Sequence, residues 1–256
     1  MTAPFLGTNQ VGSFPSAGVR PKQIKHRIFT TSGIWIAPPE VYSVNITMCG
    51  GGGGGGGGAS TFTNGSGGGG AATIVNSEIS VIPNTAYTVT IGARGSSGSG
   101  EIAGGDAATS GGVGGNTSFI GGTVTLQVNG GGNGGVGSAG GGGTVPYTSS
   151  VVTVPAMGVG YPLYFAAGTN GSIGGTVVSA SAVMFSPGGS SNGYGGAGGA
   201  CLIGRGGNGG SSVGVSAPAL TSGFGNGGGG GVLGGGGNGG NGALGGSGVV
   251  QLIWME

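Results

Sequence analysis

Nine consecutive glycines, residues 50–58, follow an alternating apolar segment without a break in "VNITMCGGGGGGGGGAST". Further along, Gly-Gly-x repeats with a period of three in "GGNGGV", "GGAGGA", "GGNGGS" and "GGNGGN", which end at Val136, Ala200, Ser211 and Asn241. A flexible linker has no reason to keep a period. An extended polyglycine helix has three residues per turn and two bare edges, so neighbouring backbones can touch and exchange hydrogen bonds. We therefore predict that the glycine segments form a packed bundle.

The composition of the chain limits the alternatives to such a bundle. Of 256 residues, 76 are glycine and only 4% are charged, so charge repulsion does not keep the chain disordered. The 11 prolines lie outside the glycine runs, which excludes collagen. Ordering a glycine costs more conformational entropy than ordering any other residue. A stable bundle therefore requires that nearly every glycine N–H finds an acceptor.

Short segments that alternate with period two are predicted to be strands. Their inward faces are predicted to hold Val44, Ile46, Met48, Ile79, Val81, Tyr87, Val89, Ile91, Val124, Leu126, Val128, Val250, Leu252 and Trp254. Pro83-Asn84-Thr85 is a turn signal that makes residues 77–92 a predicted hairpin. The last strand, 249–254, is predicted to pair with the strand around 41–48. The predicted fold class is all-β and irregular: short antiparallel strands close a sandwich-like bundle of polyglycine II helices, with almost no α-helix.

The chain is poor in groups that could carry catalysis or bind a metal or cofactor. Glu101 and Asp106 are the only carboxylates close in sequence, and solvated loop acids are a commoner reason for such a pair than a glycosidase site. His26 has no partner, and Cys49 and Cys201 fit two buried thiols better than a disulfide or a zinc site. G-x-G-x-x-G matches arise by chance in a chain this rich in glycine. We expect no enzyme, no cofactor, no metal and no nucleic-acid partner.

The start of the sequence shows neither a secretory signal nor an apolar segment of membrane-spanning length. We therefore expect synthesis and folding in a cytoplasm. Four of the six basic residues lie together in "RPKQIKHR", namely Arg20, Lys22, Lys25 and Arg27. This segment has no interleaved aromatics, so docking to another protein or solubility explains it better than nucleic-acid binding.

Four excursions interrupt the glycine segments and carry more than their share of the aromatic residues. They span 59–64, 144–170, 176–187 and 211–224. Rigid rings among small polar residues are typical of binding surfaces, although we expect about half of these rings to fill a core. Because parallel glycine rods return each excursion to one of two ends, we predict that the excursions gather at one end. The candidate contact residues are Phe62, Tyr147, Tyr161, Tyr164, Phe165, Phe185 and Phe224.

Four blocks resemble the glycine-rich domain of bacteriophage tail and tail-fibre proteins, in the same order along the chain. They are "FTTSGIWIAPPEVYSVNITMCGGGGGGGGG" at 29–58, "ISVIPNTAYTVTIGARG" at 79–95, "NTSFIGG" at 116–122 and the ending "GGSGVVQLIWME". The excursions are similar to the distal loops of T-even-type long-tail-fibre adhesins, in which a sandwich of polyglycine helices presents variable loops to the host. The resemblance implies a receptor-binding domain at 29–256 and an attachment segment at 1–28.

The resemblance also implies a place and partners for the protein. It implies a virion protein at the tip of the tail or tail fibre, made in the host cytoplasm, that recognises an outer-membrane protein or a surface glycan. Arg20, Lys22, Lys25 and Arg27 would then help to dock it to other tail or fibre proteins, either as a homotrimer or as a single tip subunit on a trimeric fibre. The alternatives are a structural tail component without receptor contact, an ice-binding polyglycine protein and a polysaccharide-degrading enzyme. The varied residues at the third position of Gly-Gly-x disfavour an ice-binding protein. The small number of carboxylates disfavours a polysaccharide-degrading enzyme.

Overall fold

A computed structural model describes residues 22–59, 63–136, 164–166, 177–178, 182–183, 186–187, 191–192, 195–201, 203, 206–211, 215–217 and 223–256. In these residues the chain forms strands and extended segments but no helix, which confirms the all-β fold class. Accordingly, no helix that could span a membrane occurs in this described part.

The strands form one five-stranded and one four-stranded antiparallel sheet, and two short two-stranded pairs. In chain order they are β1 (Ile24–Phe29), β2 (Gly33–Ile36), β3 (Ser43–Cys49), β4 (Thr73–Ser80), β5 (Ala86–Thr90), β6 (Thr117–Gly121), β7 (Val124–Val128), β8 (Tyr164–Ala166), β9 (Val177–Val178), β10 (Ala182–Val183), β11 (Ser186–Pro187), β12 (Ser191–Asn192) and β13 (Val249–Met255). The five-stranded sheet has the order β1-β13-β3-β4-β8 and the four-stranded sheet has the order β2-β5-β6-β7. Strands β10 and β11 pair with each other, as do β9 and β12.

The two larger sheets share one hydrophobic core. Trp35 of β2 and Trp254 of β13 lie with ring centroids 5.5 Å apart, so this contact joins one sheet to the other. Tyr87 and Phe119 stack beside them with centroids 4.9 Å apart. All predicted inward residues are buried, except Ile91 and Trp254, which are partly buried against the same core. The period-two prediction of the core face is therefore confirmed.

The predicted pairing of the last strand with an early strand is also confirmed. Strand β13 pairs antiparallel with β3, where Val250 lies opposite Met48 and Leu252 lies opposite Ile46. Its other side pairs with β1. The final strand is thus the second strand of its sheet, and it closes the domain against the segment that precedes the first glycines.

The predicted hairpin at 77–92 is wrong. Strand β4 pairs with β3 and β8, whereas β5 pairs with β2 and β6, so the turn at Pro83 and Asn84 carries the chain from one sheet to the other. The turn is bonded to the end of β2: Asn84 N donates to Ala37 O at 2.8 Å and Ala37 N donates to Thr85 O at 3.0 Å. A turn signal predicts that the chain reverses but does not say whether the two strands pair or face each other.

The run Gly50–Gly58, called the central rod below, is an ordered part of the fold. Each of its nine backbone N–H groups donates a hydrogen bond to another segment. The donors follow a period of three: Gly51, Gly54 and Gly57 donate to Gly115, Gly112 and Thr109 in turn, at 2.8 to 3.0 Å. Since the donor number rises by three while the acceptor number falls by three, this neighbour is antiparallel and both chains have three residues per turn.

Six segments surround the central rod. It donates to three antiparallel neighbours, within 109–115, 240–246 and 66–69. It accepts from three parallel neighbours, within 95–101, 131–134 and 228–231. A helix with three residues per turn and bonds on every side packs in this hexagonal way. The prediction of packed polyglycine helices with systematically bonded N–H groups is confirmed for the described rods.

The lack of side chains is what permits this packing. A Cβ added at Gly51, Gly54 or Gly57 would fall on the carbonyl oxygen of Ala93, Ser96 or Ser99, respectively. The two other edges of the rod meet neighbouring backbone in the same way, from Gly50 to Gly58. The central rod therefore has no edge on which a side chain fits, as expected for the centre of the bundle.

Candidate functional site

The bundle has two ends with different structures. At the end beside the sheets, called the sheet end below, Gly50 N donates to Ala72 O at 3.2 Å, next to the ends of β3 and β4. At the opposite end, called the distal end below, Glu101 N donates to Gly58 O and Gly234 N donates to Ala59 O. The nine residues between them span about 28 Å at 3.1 Å per residue. Anything displayed at the distal end is therefore held well away from the sheets.

The described distal end consists of tight turns tied together by backbone bonds. One turn spans 102–105, where Gly105 N donates to Ile102 O at 2.8 Å and Ile102 N donates to Asp106 O at 3.0 Å. Another turn contains Gly235 and Gly236, both with positive φ, a conformation that favours glycine. Gly239 N donates to Glu101 O at 2.7 Å and joins the two turns. The described turns of the distal end are thus held to each other by main-chain hydrogen bonds.

Asparagine side chains accept hydrogen bonds from backbone N–H groups at this end of the bundle. The sequence patterns did not predict this role. Asn238 Oδ1 accepts from Ala103 N at 3.0 Å, and Asn241 Oδ1 accepts from Gly100 N at 2.7 Å. Asn64 Oδ1 accepts from Leu233 N at 2.9 Å. Asn238 and Asn241 occupy third positions of Gly-Gly-x and are exposed, but the repeat does not show that they bond to neighbouring rods. Short amide side chains at these positions cap backbone N–H groups that no carbonyl reaches.

The structure describes three of the seven candidate contact residues. Tyr164 and Phe165 lie in β8, opposite Val75 and Ile74 of β4, at the edge of the five-stranded sheet. Phe224 is half-buried and packs against the cluster that contains Cys49 and Cys201. The other candidates lie outside the described residues: Phe62, Tyr147, Tyr161 and Phe185.

The prediction that all four excursions gather at one end is wrong for the described parts of two of them. Residues 164–166 and 223–224 lie at the sheet end, whereas Ala59 and residue 63 lie at the distal end. The rod directions explain this difference. The rod at 225–231 is parallel to the central rod, so it runs away from the sheets. The rod at 206–210 is antiparallel to 195–198, which runs toward the sheets, so it also runs away from them. Residue 211 therefore follows a rod that ends away from the sheets, whereas residue 223 lies at the sheet end.

The basic residues of the predicted attachment segment lie on or next to β1. Lys22 is exposed, Lys25 Nζ donates to Gln23 Oε1 at 3.0 Å, and the Arg27 guanidinium lies 4.8 Å from the centroid of the Phe29 ring. Arg20 lies outside the described residues. Strand β1 begins at Ile24, so the last five residues of the predicted segment 1–28 belong to the sheet.

Strand β1 is an edge strand, and its outer side is open among the described residues. Gln23 and Glu256 exchange N–H to C=O bonds, so alternate residues from Gln23 onward bond to β13. The main-chain groups of Ile24, His26 and Ile28 therefore point away from β13. Ile24 is 73% exposed and its neighbour Met255 is 63% exposed. Both lie at a groove of about 660 Å³ that Tyr42 and Glu78 also line.

The described residues contain no cluster of potential metal ligands. No group of three or more His, Cys, Asp or Glu side chains comes together in this part of the chain. Asp106 and His26 are exposed to solvent, the first in the distal turn and the second on β1. Cys49 and Cys201 are buried free thiols, as predicted.

Comparisons with known proteins identify the scaffold. The profile of a family described as "Glycine-rich domain" matches residues 29–255, almost the whole chain. No curated protein matches the chain.

Proposed function

Because the chain belongs to the glycine-rich domain family, whose profile covers residues 29–255, we propose that it is a receptor-binding protein of a bacteriophage tail or tail-fibre tip. The family match supports the scaffold, and the similarity to tail-fibre sequences supports the phage setting. The observation that carries the proposal is the central rod bonded to six neighbours. It gives the molecule a stiff shaft, with a strand edge that is open among the described residues at the sheet end and with turns displayed at the distal end.

A stiff shaft suits an adhesin for a physical reason. Binding through loops costs conformational entropy when the loops are ordered on contact, and a preorganised base reduces this cost. The distal turns are fixed by Asn64, Asn238 and Asn241 before any ligand arrives. Sequence changes in the excursions at 144–170, 176–187 and 211–224 leave these bonds intact, so the recognition surface can vary there while the shaft stays the same. The receptor is an outer-membrane protein or a surface glycan, and no catalysis is involved.

Attachment to the tail uses the opposite end in this proposal. Strand β1 offers main-chain groups of Ile24, His26 and Ile28 for pairing with a strand of another tail or fibre protein. The exposed side chains of Lys25 and Arg27 on the same strand favour an acidic partner. Pairing of β1 with the same strand of a second copy, centred on His26, would place Lys25 opposite Arg27, and like charges directly opposite are unfavourable. A fibre protein is therefore the better partner for this edge.

A structural tail component without a receptor is the second candidate. The described turns at the distal end are short, four residues at 102–105, which suits a spacer as well as a tip. The two functions differ in what the purified protein does, because a spacer assembles into the tail but does not adsorb to cells.

Two exposed isoleucines give a matched test of the recognition surface. Ile102 lies in the distal turn and is 52% exposed, whereas Ile34 lies on the outer face of β2 and is 60% exposed. We expect Ile102→Asp to lower adsorption of labelled protein to host cells about tenfold, and Ile34→Asp to leave it unchanged, with equal melting temperatures. Cells treated with protease or with periodate distinguish a protein receptor from a glycan.

Immunogold labelling locates the protein on the virion. We expect label at the tail or fibre tip of the phage that encodes the chain. Label along the tail combined with no adsorption by the purified protein would favour the spacer function. Absence of label from the virion would contradict both functions.

The attachment surface has its own test. Lys25→Glu with Arg27→Glu reverses the charge of β1 at exposed positions. We expect this variant to lose co-purification with the fibre protein while it still adsorbs to cells. Unchanged co-purification would show that the tail protein docks elsewhere.

A further inference from the structure

Two cysteines far apart in the sequence meet at the sheet end of the bundle. Cys49 is the last residue of β3, directly before the central rod, and Cys201 ends the glycine segment 195–201. Both are fully buried in one small cluster with Ala71 and Val249. Neither the family match nor the proposed function assigns them a role.

The contacts around the two thiols place their sulfurs in one pocket. Thr73 Oγ1 donates to Cys49 Sγ at 3.4 Å, and Cys201 Sγ donates to Phe224 O at 2.8 Å. Gly225 follows Phe224, and a Cβ added to it would fall on Cys49 Sγ. The same short backbone segment thus contacts both sulfurs. The Cys201 thiol is also within hydrogen-bonding reach of Cys49.

We propose that Cys49 and Cys201 are a cross-link site that closes to an intramolecular disulfide when the protein meets a low-molecular-weight disulfide such as oxidised glutathione. One thiolate attacks the oxidant, forms a mixed disulfide and releases one glutathione thiol. The second cysteine then attacks the protein sulfur of that mixed disulfide and releases the second glutathione thiol. The protein loses two protons and two electrons, and the oxidant gains both.

The rate of this step is limited by access and by the thiolate fraction. Both sulfurs are buried, so exchange requires transient opening of the sheet end. Burial raises the pKa of the Cys49 thiol well above its ordinary value, and the neighbouring Cys201 raises it further. Cys49 is therefore rarely a thiolate in the folded protein at neutral pH, and we expect the reaction to accelerate as the pH rises. A reducing cytoplasm keeps the pair as thiols, and release into an oxidising medium allows closure.

The disulfide would stabilise the fold strongly because it joins two residues that are far apart in the sequence. Residues 49 and 201 are separated by 152 positions (201 − 49), and a disulfide that closes a long loop restricts the unfolded chain most. It would tie the start of the central rod to the end of the segment 195–201. The two thiols already belong to the same buried cluster, so the cross-link joins neighbouring side chains.

Thiol titration and intact mass test the site directly. Purified reduced protein is incubated with oxidised glutathione at neutral and raised pH, then unfolded in a thiol-blocking reagent. We expect both thiols to be lost, a monomer mass lower by two hydrogen atoms, and a melting temperature raised by about 5 to 15 °C. Cys49→Ala and Cys201→Ala should each abolish the rise.

The wild-type measurement remains decisive if either variant fails to fold. Two titratable thiols after incubation at raised pH, a stable glutathione adduct, or disulfide-linked dimers in place of the monomer would each overturn the proposal. A normal disulfide in a protein that does not adsorb to cells would leave the cross-link standing and count only against receptor binding.

Discussion

Gly54→Ala tests the packing of the central rod with the smallest side chain available. The added Cβ would fall on the carbonyl oxygen of Ser96, with the carbonyl carbon of the same residue also in contact. Both atoms belong to backbone, so no side chain can rotate aside. The neighbouring rod at 95–101 must therefore move as a unit.

The cost follows from the bonds that hold this neighbour. Gly95, Gly98 and Glu101 donate to Gly52, Gly55 and Gly58 at 2.8 to 2.9 Å. At about 0.5 to 1.5 kcal/mol for each bond, losing the three would cost about 1.5 to 4.5 kcal/mol. The free energy of unfolding of a domain is about 5 to 15 kcal/mol, so the loss is a large fraction of it. We expect the melting temperature to fall by about 3 to 18 °C, because 1 kcal/mol shifts it by about 2 to 4 °C at this size.

Gly237→Ala is the matched control. An added Cβ there meets only the carbonyl oxygen of Gly234, at 3.4 Å, an ordinary contact. The substitution is chemically the same, so any general effect of alanine on the unfolded chain appears in both variants. Differential scanning calorimetry of the two proteins measures the difference.

A melting temperature of Gly54→Ala that matches Gly237→Ala would refute the six-neighbour packing of the central rod. Gly54→Val extends the series, because its branched side chain adds two methyl groups at the same backbone contact. We expect this variant to yield no soluble protein.

Three further predictions concern the sheets and the aromatic residues. Deletion of residues 249–256 removes β13 from between β1 and β3, so size-exclusion chromatography should show aggregates; a folded monomer would contradict the pairing. Tyr87→Phe removes the acceptor of the 2.8 Å bond from Ile82 N and should cost about 1 to 3 kcal/mol in denaturant unfolding; no change would show that water replaces the hydroxyl. Phe224→Ala should lower the melting temperature and leave adsorption to cells unchanged, because Phe224 packs against the buried cysteine cluster. Tyr161→Ala should weaken adsorption by about 1 to 3 kcal/mol at a constant melting temperature. The reverse result would exchange the roles of the two residues.

Local patterns in the sequence determined a large part of this fold. Alternation identified Val44, Ile46 and Met48 as a core face, because a strand sends successive side chains to opposite sides. The period of Gly-Gly-x predicted packed helices with three residues per turn, because only such helices keep bare edges in line. The buried state of Cys49 and Cys201 also followed from composition and context.

The tertiary structure decided which segments are neighbours. Residues 77–92 look like a hairpin, but the contact of the turn with Ala37 places β4 and β5 in different sheets. The directions of the rods at 206–210 and 225–231 place residues 211 and 223 at opposite ends of the bundle, and these directions are set by hydrogen bonds to distant segments. The roles of Asn64 and Asn241 depend on partners 169 and 141 positions away.

The physical reason is clearest in the central rod. All nine residues from Gly50 to Gly58 are identical, so nothing in them specifies that Gly51 bonds to Gly115 or Gly52 to Gly246. The backbone N–H and C=O groups are the same in every glycine, so they do not specify which segment they bond to. The register comes instead from the strands that precede and follow the rods, where side chains such as Met48 and Val250 fit only one alignment of β3 with β13. The sequence therefore determines that the glycines pack, and the sheets determine which rods they pack against.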